Sequence, residues 1–255
     1  MLPVEIRVDG REILSSPRDR SRPRGLILKP QGLQGWQGLP AGRREALARA
    51  VEHGEHDVPV YLPSRVVTID GWVLAPNELE LGHESENVLG VGAAGGLVKA
   101  TVGMYGDYRW ADGRRLLCEF DDSGVRDDGV LYGSFQLQMV FADPRRYGEV
   151  NVHPATGTAT SIPVFHRGNF PAYPVIEIPS APASYTITSP AGSFTVSGAI
   201  AGGTHTVDMR RGRVFRNGGE MYDVGHGDLW AVPPGTPWTH TLSAPGRVRI
   251  PNTYI

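Results

Sequence analysis

The sequence is nearly without cysteine, because Cys118 is the only one among 255 residues. A single thiol cannot form a disulfide within the chain, and it cannot supply the cysteine pairs of a structural zinc site. Disulfide-stabilised scaffolds and cysteine-rich zinc modules are therefore excluded. We expect Cys118 to be a small core residue.

An excess of charge of one sign is also missing. Lysine and arginine number 25 against 27 acids, which gives a formal net charge of -2. Proteins that grip a nucleic-acid backbone carry a strongly basic surface, so we do not expect such binding here. The sequence also lacks the ~20 consecutive apolar residues of a membrane helix. Residues 1–7 contain an acid and a base with no apolar block behind them, so we expect no signal peptide and synthesis in a cytoplasm.

Glycine and proline are plentiful, with 33 and 21 residues, and they separate short apolar runs as turn residues do. This spacing predicts a mostly β protein. The alternating residues 4–8 before Asp9-Gly10 predict a hairpin. A second turn is predicted at Asp70-Gly71, between the apolar residues 66–67 and 72–74.

Longer periodic patterns predict one helix and two further strands. The helix is predicted over 41–53, where Leu47 and Val51 share a face. Alternating apolar residues predict a half-buried strand over 135–141, and β-branched residues predict another over 97–102.

A change in composition to Asn, His, Pro, Thr and Gly predicts a linker over 151–170, between a first domain, 1–150, and a second domain, 171–255. Hairpin signals recur through the second domain, with predicted turns at 190–192, 211–212, 217–218, 233–235 and 245–246. Apolar residues continue to the end, which predicts a packed carboxyl-terminal strand. The predicted architecture is a β-rich domain with one short helix, followed by a β-sandwich of about 90 residues.

Two groups of residues resemble ligand-binding motifs but lack the necessary context. Residues 90–95 spell the glycine pattern of a dinucleotide site, yet a strand is predicted after them where the site needs a helix, so we expect a loop. Histidine and carboxylate lie close together in 53–56 and 83–86, but a pair of ligands does not close a metal site.

A third group resembles the second metal motif of cupins. It comprises Gly227-Asp228, the turn 233–235 and His240, but four residues separate the turn from the histidine, and the companion motif is absent because His205 stands alone. No Gly-x-Ser-x-Gly nucleophile motif occurs. The acidic run from Glu119 to Asp128 lacks the ligand pattern of a calcium loop and predicts a solvated hairpin tip. We therefore predict no catalytic, cofactor-binding or metal residue, and a protein that is not an enzyme.

Four stretches resemble the distal tail proteins of long-tailed phages. Residues 135–147 (FQLQMVFADPRRY) look like the family's closing strand and aromatic exit, and residues 167–178 (RGNFPAYPVIEI) look like the start of its second domain. Residues 206–218 (TVDMRRGRVFRNG) are similar to its strand, turn, strand and Asn-Gly sequence. Residues 229–235 (LWAVPPG) resemble the strand and Pro-Gly turn before its last hairpin. The resemblance is strongest over 134–255, whereas the first 130 residues match mainly in layout.

The resemblance implies an amino-terminal β-barrel-like belt domain with one short helix and a carboxyl-terminal galectin-like β-sandwich. In the family, belt domains form a ring of six copies that joins the tail tube to the distal baseplate or host-adsorption apparatus, and DNA passes through its lumen. The implied partners are further copies of the chain, the tail tube protein, a tail-tip hub or tail-associated lysin, and the tape measure protein. The implied location is the tail tip of a virion, and a near-neutral chain suits a lumen that must not hold DNA.

The galectin-like resemblance also raises contact with a host surface glycan. Aromatic rings stack on sugars, which makes Trp230, Trp238 and His240 the candidate contacts, although the same residues also suit a hairpin core. Two alternative functions follow from the second domain. One is a carbohydrate-binding module of a tail or surface protein, and the other is a cupin-like metalloenzyme.

Overall fold

The structure is a computed structural model that describes residues 4–19, 24–39, 41–125 and 129–255. Two sequence predictions fall partly outside the described residues. These are the amino-terminal segment 1–7, of which residues 1–3 are not described, and the acidic run, of which Asp127 and Asp128 are not described. The chain divides into two compact units between Arg145 and Arg146. Each unit has its own hydrophobic core.

The first unit is a closed barrel of seven strands. Its elements in chain order are β1 Glu5–Val8, β2 Arg11–Leu14, β3 Gly25–Gln34, β4 Arg65–Ala75, α1 Glu78–Gly90, β5 Val98–Met104, β6 Asp107–Val125 and β7 Leu131–Phe141. Around the barrel the strands follow the order β1, β5, β6, β7, β4, β3, β2 and back to β1. All these pairs are antiparallel except β2 with β3.

Alternation along the strands places the barrel core. In β7 the buried residues are Phe135, Leu137, Met139 and Phe141, each separated by a less buried residue, as expected for a strand with one face against the core. The predicted strands over 135–141 and 97–102 are both confirmed, the second as β5. Cys118, predicted to be a small core residue, is only partly buried and packs against this core.

The single helix lies elsewhere than predicted. Residues 41–53 form no helix, and their apolar Leu47 and Val51 are 76% and 95% exposed. The helix is α1, which starts where the Asn77 side chain accepts a hydrogen bond from the Glu80 backbone N–H at 2.9 Å. It buries Leu81 and Val88 against the barrel. Among the described residues, no helix combines the length and the apolar character needed to cross a membrane.

The two glycine turns predicted in the barrel have different outcomes. Asp9 and Gly10 both have positive φ angles, 50° and 76°, and close the hairpin of β1 and β2. The prediction at Asp70-Gly71 is wrong, because β4 runs straight through it. A Cβ atom at Gly71 would lie 2.4 Å from the Phe135 ring, so this glycine permits close packing within a strand.

The second unit is a sandwich of two antiparallel sheets. Its strands are β8 Arg146–His153, β9 Ala159–Val164, β10 Val175–Ile178, β11 Tyr185–Ser189, β12 Gly192–Val196, β13 His205–Asp208, β14 Arg213–Arg216, β15 Gly219–Met221, β16 Gly225–Gly227 and β17 Trp238–Tyr254. One sheet has the order β8, β17, β10, β13, β14, β15, and the other has the order β9, β17, β11, β12, β16. The long β17 belongs to both sheets. The predicted β-sandwich and its packed carboxyl-terminal strand are confirmed.

Two features of this unit differ from expectation. Pro245-Gly246 does not turn the chain between two strands, because β17 continues through it while passing from one sheet to the other. A Cβ at Gly246 would lie 2.7 Å from the Glu177 carbonyl oxygen, so glycine permits this crossing. Strands β8 and β9 include residues 151–153 and 159–164, nine of the twenty residues over which the sequence predicts a linker. Their exposed faces carry polar residues, which hides the apolar alternation.

Candidate functional site

Trp230 and His240 form a buried polar pair in the sandwich core. The Trp230 Nε1–H donates to His240 Nε2 at 2.9 Å, and the ring centroids lie 5.8 Å apart. His240 is fully buried. Burial lowers the pKa of His240 to about 4, although its contact with the Trp238 carbonyl acts in the opposite direction. The imidazole is therefore neutral at pH 7, with its proton on Nδ1.

These contacts leave the cupin-like motif without a histidine ligand. His240 Nε2 accepts from Trp230, and its Nδ1 faces the Trp238 carbonyl oxygen at 3.4 Å. A ligating imidazole needs a free lone pair, which this ring does not have. His205, the other histidine considered, pairs its Nε2 with the Ile200 carbonyl at 2.9 Å. Within the described ranges, no group of three or more histidine, cysteine or acidic side chains is arranged to hold a metal ion.

The three predicted glycan contacts lie largely inside the sandwich. Trp230 is 3% exposed and His240 is fully buried, while Trp238 is half-buried and packs against the core. A sugar stacks on an exposed ring face, and only Trp238 retains part of one. Glycan contact at these positions stays a prediction. Trp230 and His240 are buried in the sandwich core, where they have a structural role.

The other motifs considered in the sequence, the glycine-rich loop, the acidic run and Cys118, lie at separate places in the first unit. Gly90 ends α1, and residues 91–95 form the predicted loop between α1 and β5, the reverse of the order that a dinucleotide site needs. Glu119, Asp121 and Asp122 are exposed along β6 rather than at a hairpin tip. The Cys118 thiol donates to the Val88 carbonyl at 3.4 Å, and burial raises its pKa. A thiol in this state is a poor nucleophile.

Exposed apolar side chains are concentrated on the barrel. Of the seventeen large apolar residues that are exposed in the described parts of the chain, twelve lie in the first unit. Four of these twelve lie in residues 41–64, which precede β4 and which we call the arm: Leu47, Val51, Val60 and Tyr61. Soluble proteins rarely gather large apolar side chains on one exposed element, so such an element indicates an interaction surface.

The arm is an extended excursion with few internal contacts. Its two sides meet at isolated bridges, Arg43 with Tyr61 and Ala48 with Glu55. At the far end, the Arg49 N–H donates to the Gly54 carbonyl at 3.1 Å and closes a turn that carries Val51. The arm therefore has a defined path, although none of its exposed apolar residues packs into the barrel core.

Arg65 fixes the root of the arm. Its side chain is 1% exposed, and it donates to the carbonyl oxygens of Gly35, Trp36, Gly38 and Pro144. Burial lowers the pKa of the guanidinium. Its Nε and Nη1 donate to the four carbonyls, which offset part of the cost of burial, whereas the buried Nη2 has no hydrogen-bond partner among the described residues. Arg65 thus holds the segment before the arm against the first residue of β4.

An apolar hollow of about 350 Å³ lies beside that segment. Leu28, Leu33, Trp36 and Met104 supply its apolar walls, together with Val4. Gln37 lies at its edge, with its side-chain N–H 3.4 Å from Met104 Sδ. No residue of the described arm lines the hollow. The hollow is therefore left open by the chain's own arm.

The opposite face of the barrel wall is polar. Residues that alternate with the core side chains of β4 and β7 pair across the sheet, with Gln136 donating to Asp70 at 2.8 Å and Gln138 donating to Thr68 at 3.3 Å. Glu119 lies beside Gln136 on β6. Most side chains of this face are neutral or acidic, and Lys29 lies among them in a pocket shared with Asp70 and Glu119.

Comparison with known proteins gives matches in structure alone. No protein-family profile and no curated protein sequence matches the chain. The crystal structure of the SPP1 Dit protein, described as a paradigm of the hub adsorption apparatus of phages that infect Gram-positive hosts, is similar with a TM-score of 0.72 at 16% identity, over 99% of each chain. Chains of the phage P2 baseplate in its activated conformation, with Ca and with Sr, are similar with TM-scores of 0.54, at 7% and 8% identity over 98% of each chain.

The match to SPP1 Dit includes both the barrel unit and the sandwich unit, because it covers nearly all of each chain. At this level of identity the similarity establishes the fold. The chain therefore has the fold of the distal tail protein Dit from end to end, which confirms at the level of the fold the resemblance predicted from the sequence.

Proposed function

We propose that the protein is a structural component of a phage tail tip, in which copies of the chain form a ring, of six subunits, between the tail tube and the distal baseplate or host-adsorption apparatus. The observation that carries this proposal is the similarity to SPP1 Dit over 99% of both chains. A match to one unit alone would be compatible with a single widespread β domain, whereas here a barrel and a sandwich occur in the same order.

The surface of the barrel supports its assignment as the ring-forming part. Twelve of the seventeen exposed large apolar residues of the described chain belong to this unit, which is the pattern of a subunit that buries surface in an assembly. The strands of the barrel are paired around a closed ring, so we expect association between copies to use mainly side chains, as in heterologous ring interfaces.

The polar face of β4, β6 and β7 suits the wall of a channel for DNA. Gln136 donates to Asp70 and Gln138 donates to Thr68, and Glu119 adds a further acid. Lys29 lies on the same face, beside Asp70 and Glu119. Acids outnumber this cation, so phosphates would be held only weakly as DNA passes. The proposed partners in the tail are the tail tube protein, the tape measure protein and a hub or tail-associated lysin.

The proposed role is not enzymatic. The buried histidine with the largest pKa change, His240, has both ring nitrogens engaged with Trp230 and Trp238. The only cysteine has a raised pKa and is hydrogen-bonded to the Val88 carbonyl. Perturbed groups of this kind stabilise a core and provide no nucleophile with an adjacent base.

Negative-stain electron microscopy of the purified chain tests the proposal. We expect annular particles with an open centre, and class averages with sixfold symmetry. A field of single particles of monomer size at micromolar concentration would contradict the ring. The test needs no knowledge of the host or of the other tail proteins.

A further inference from the structure

The arm ends in an apolar tip that the rest of its chain leaves uncovered. Val51 is 95% exposed at the turn, and Leu47 is 76% exposed in the segment that leads to it. The polar residues around them are already paired, since Arg49 bonds Glu52 at 2.8 Å and Arg44 bonds Asp57 at 3.2 Å. Leu47 and Val51 are therefore the side chains of the tip that have no packing partner in the hydrophobic core of the described unit.

The hollow beside Gln37 is the matching feature on the same unit. It measures about 350 Å³, and its walls are mainly apolar. Trp36 at its base is 2% exposed and packs edge-on against Phe141, with centroids 5.9 Å apart. The wall is therefore a firm surface supported from behind by the barrel core.

We propose that the arm tip of one copy docks in the hollow of a neighbouring copy, with Leu47 and Val51 entering between Leu33, Trp36 and Met104. A projection and a hollow at different places on one molecule generate a heterologous contact, which repeats from copy to copy and closes into a ring. A contact of the tip with another tip would instead stop at a dimer. This inference rests on the proposed function and adds the surfaces through which the ring forms.

The geometry at Arg65 explains how one side chain would serve both parts of the contact. Its guanidinium binds the carbonyls of Gly35, Trp36 and Gly38, which form one side of the hollow, while its own backbone begins β4 at the end of the arm. The direction of the arm and the shape of the hollow are therefore set together. Each copy presents both features in a fixed relation, as a closed ring requires.

Disulfide cross-linking tests the pairing directly. In a Cys118→Ser background, one variant carries Val51→Cys and Gln37→Cys together, and two controls carry one substitution each. Val51 and Gln37 are both exposed, so the changes leave the core intact. With a mild oxidant, we expect the double variant to give a ladder of covalent species up to the size of the full ring in a denaturing gel, and we expect no ladder from either control.

Each result has a definite meaning when the particle mass of the same samples is also measured. Particles of ring mass without a ladder would overturn the arm contact and leave the ring standing. A dimer from Val51→Cys alone would replace the proposed contact with a tip-to-tip one. Monomers throughout would overturn the ring and, with it, the docking of the arm.

A second experiment uses solubilising changes at the tip. Leu47→Ser with Val51→Ser removes two apolar side chains, and we expect the dissociation constant for self-association to rise by about 100-fold. The matched control is Ile200→Ser with Tyr222→Ser, which removes two residues of the sandwich that are 65% and 74% exposed. The control is expected to stay within about twofold of the unchanged protein. Equal behaviour of the two double variants would overturn the proposal.

Discussion

His240 makes the stability of the sandwich sensitive to mild acid. In the unfolded chain a histidine titrates near its ordinary value of 6.5, whereas burial lowers the pKa of His240 to about 4 in the folded protein. Between these values the unfolded chain binds a proton that the folded chain does not. The contribution of the neutral ring to stability is therefore complete above pH 6.5 and is lost as the pH falls toward 4. The loss amounts to about 2 kcal/mol at pH 5 and about 3 kcal/mol at pH 4.

Urea unfolding at pH 7, 6, 5 and 4 measures this loss. The informative variant is His240→Gln, because a glutamine oxygen accepts from the Trp230 Nε1–H and does not titrate. We expect the variant to lose less stability than the unchanged protein between pH 6.5 and 4, by about the amounts above. The control is His226→Gln, since His226 is exposed, and it is expected to follow the unchanged protein.

Parallel pH profiles of the unchanged protein and His240→Gln would refute the reasoning. Burial also lowers the pKa of His166, which adds to the stability that each protein loses in acid. Both proteins retain His166, so it does not change the difference in stability between them. A nuclear magnetic resonance titration gives an independent check. The His240 ring is expected to remain neutral at pH 5 in the folded protein.

Three further predictions concern packing. Glu177→Gln removes the carboxylate that accepts from Arg247 at 2.6 Å, and we expect a loss of about 1–2 kcal/mol in urea unfolding, because the surplus arginine charge stays partly solvated. Gly71→Ala places a Cβ 2.4 Å from the Phe135 ring and is expected to cost about 2 kcal/mol. Gly82→Ala meets nothing within 4 Å on α1, and we expect it to raise stability by about 0.5 kcal/mol, as calorimetry would detect.

Local turn chemistry in the sequence was sufficient to place several hairpins. Asn217 and Gly218 have φ angles of 48° and 86° and join β14 to β15, as predicted, because few other residue pairs adopt this turn. The turns predicted at Gly71 and Gly246 are wrong because tertiary packing, and not local turn geometry, requires glycine at these positions. Each needs glycine to admit a neighbouring atom, and that neighbour is supplied by a distant part of the chain.

The helix shows why periodicity alone was insufficient. Leu47 and Val51 have helical spacing, yet no part of the described barrel covers them, so the spacing produces no helix in this chain. The true helix has a weak apolar stripe, and its signal was the capping pair Asn77 and Glu80. The hollow at Trp36 was not predictable, because strands far apart in sequence build it.

The absolute mass of the purified chain in solution tests the central claim most directly. Light scattering after size exclusion, repeated over a hundredfold range of concentration, reports the mass of the assembly without reference to shape. We expect a discrete species of about six times the 27.6 kDa of one chain. A constant mass of one chain at every concentration would contradict it.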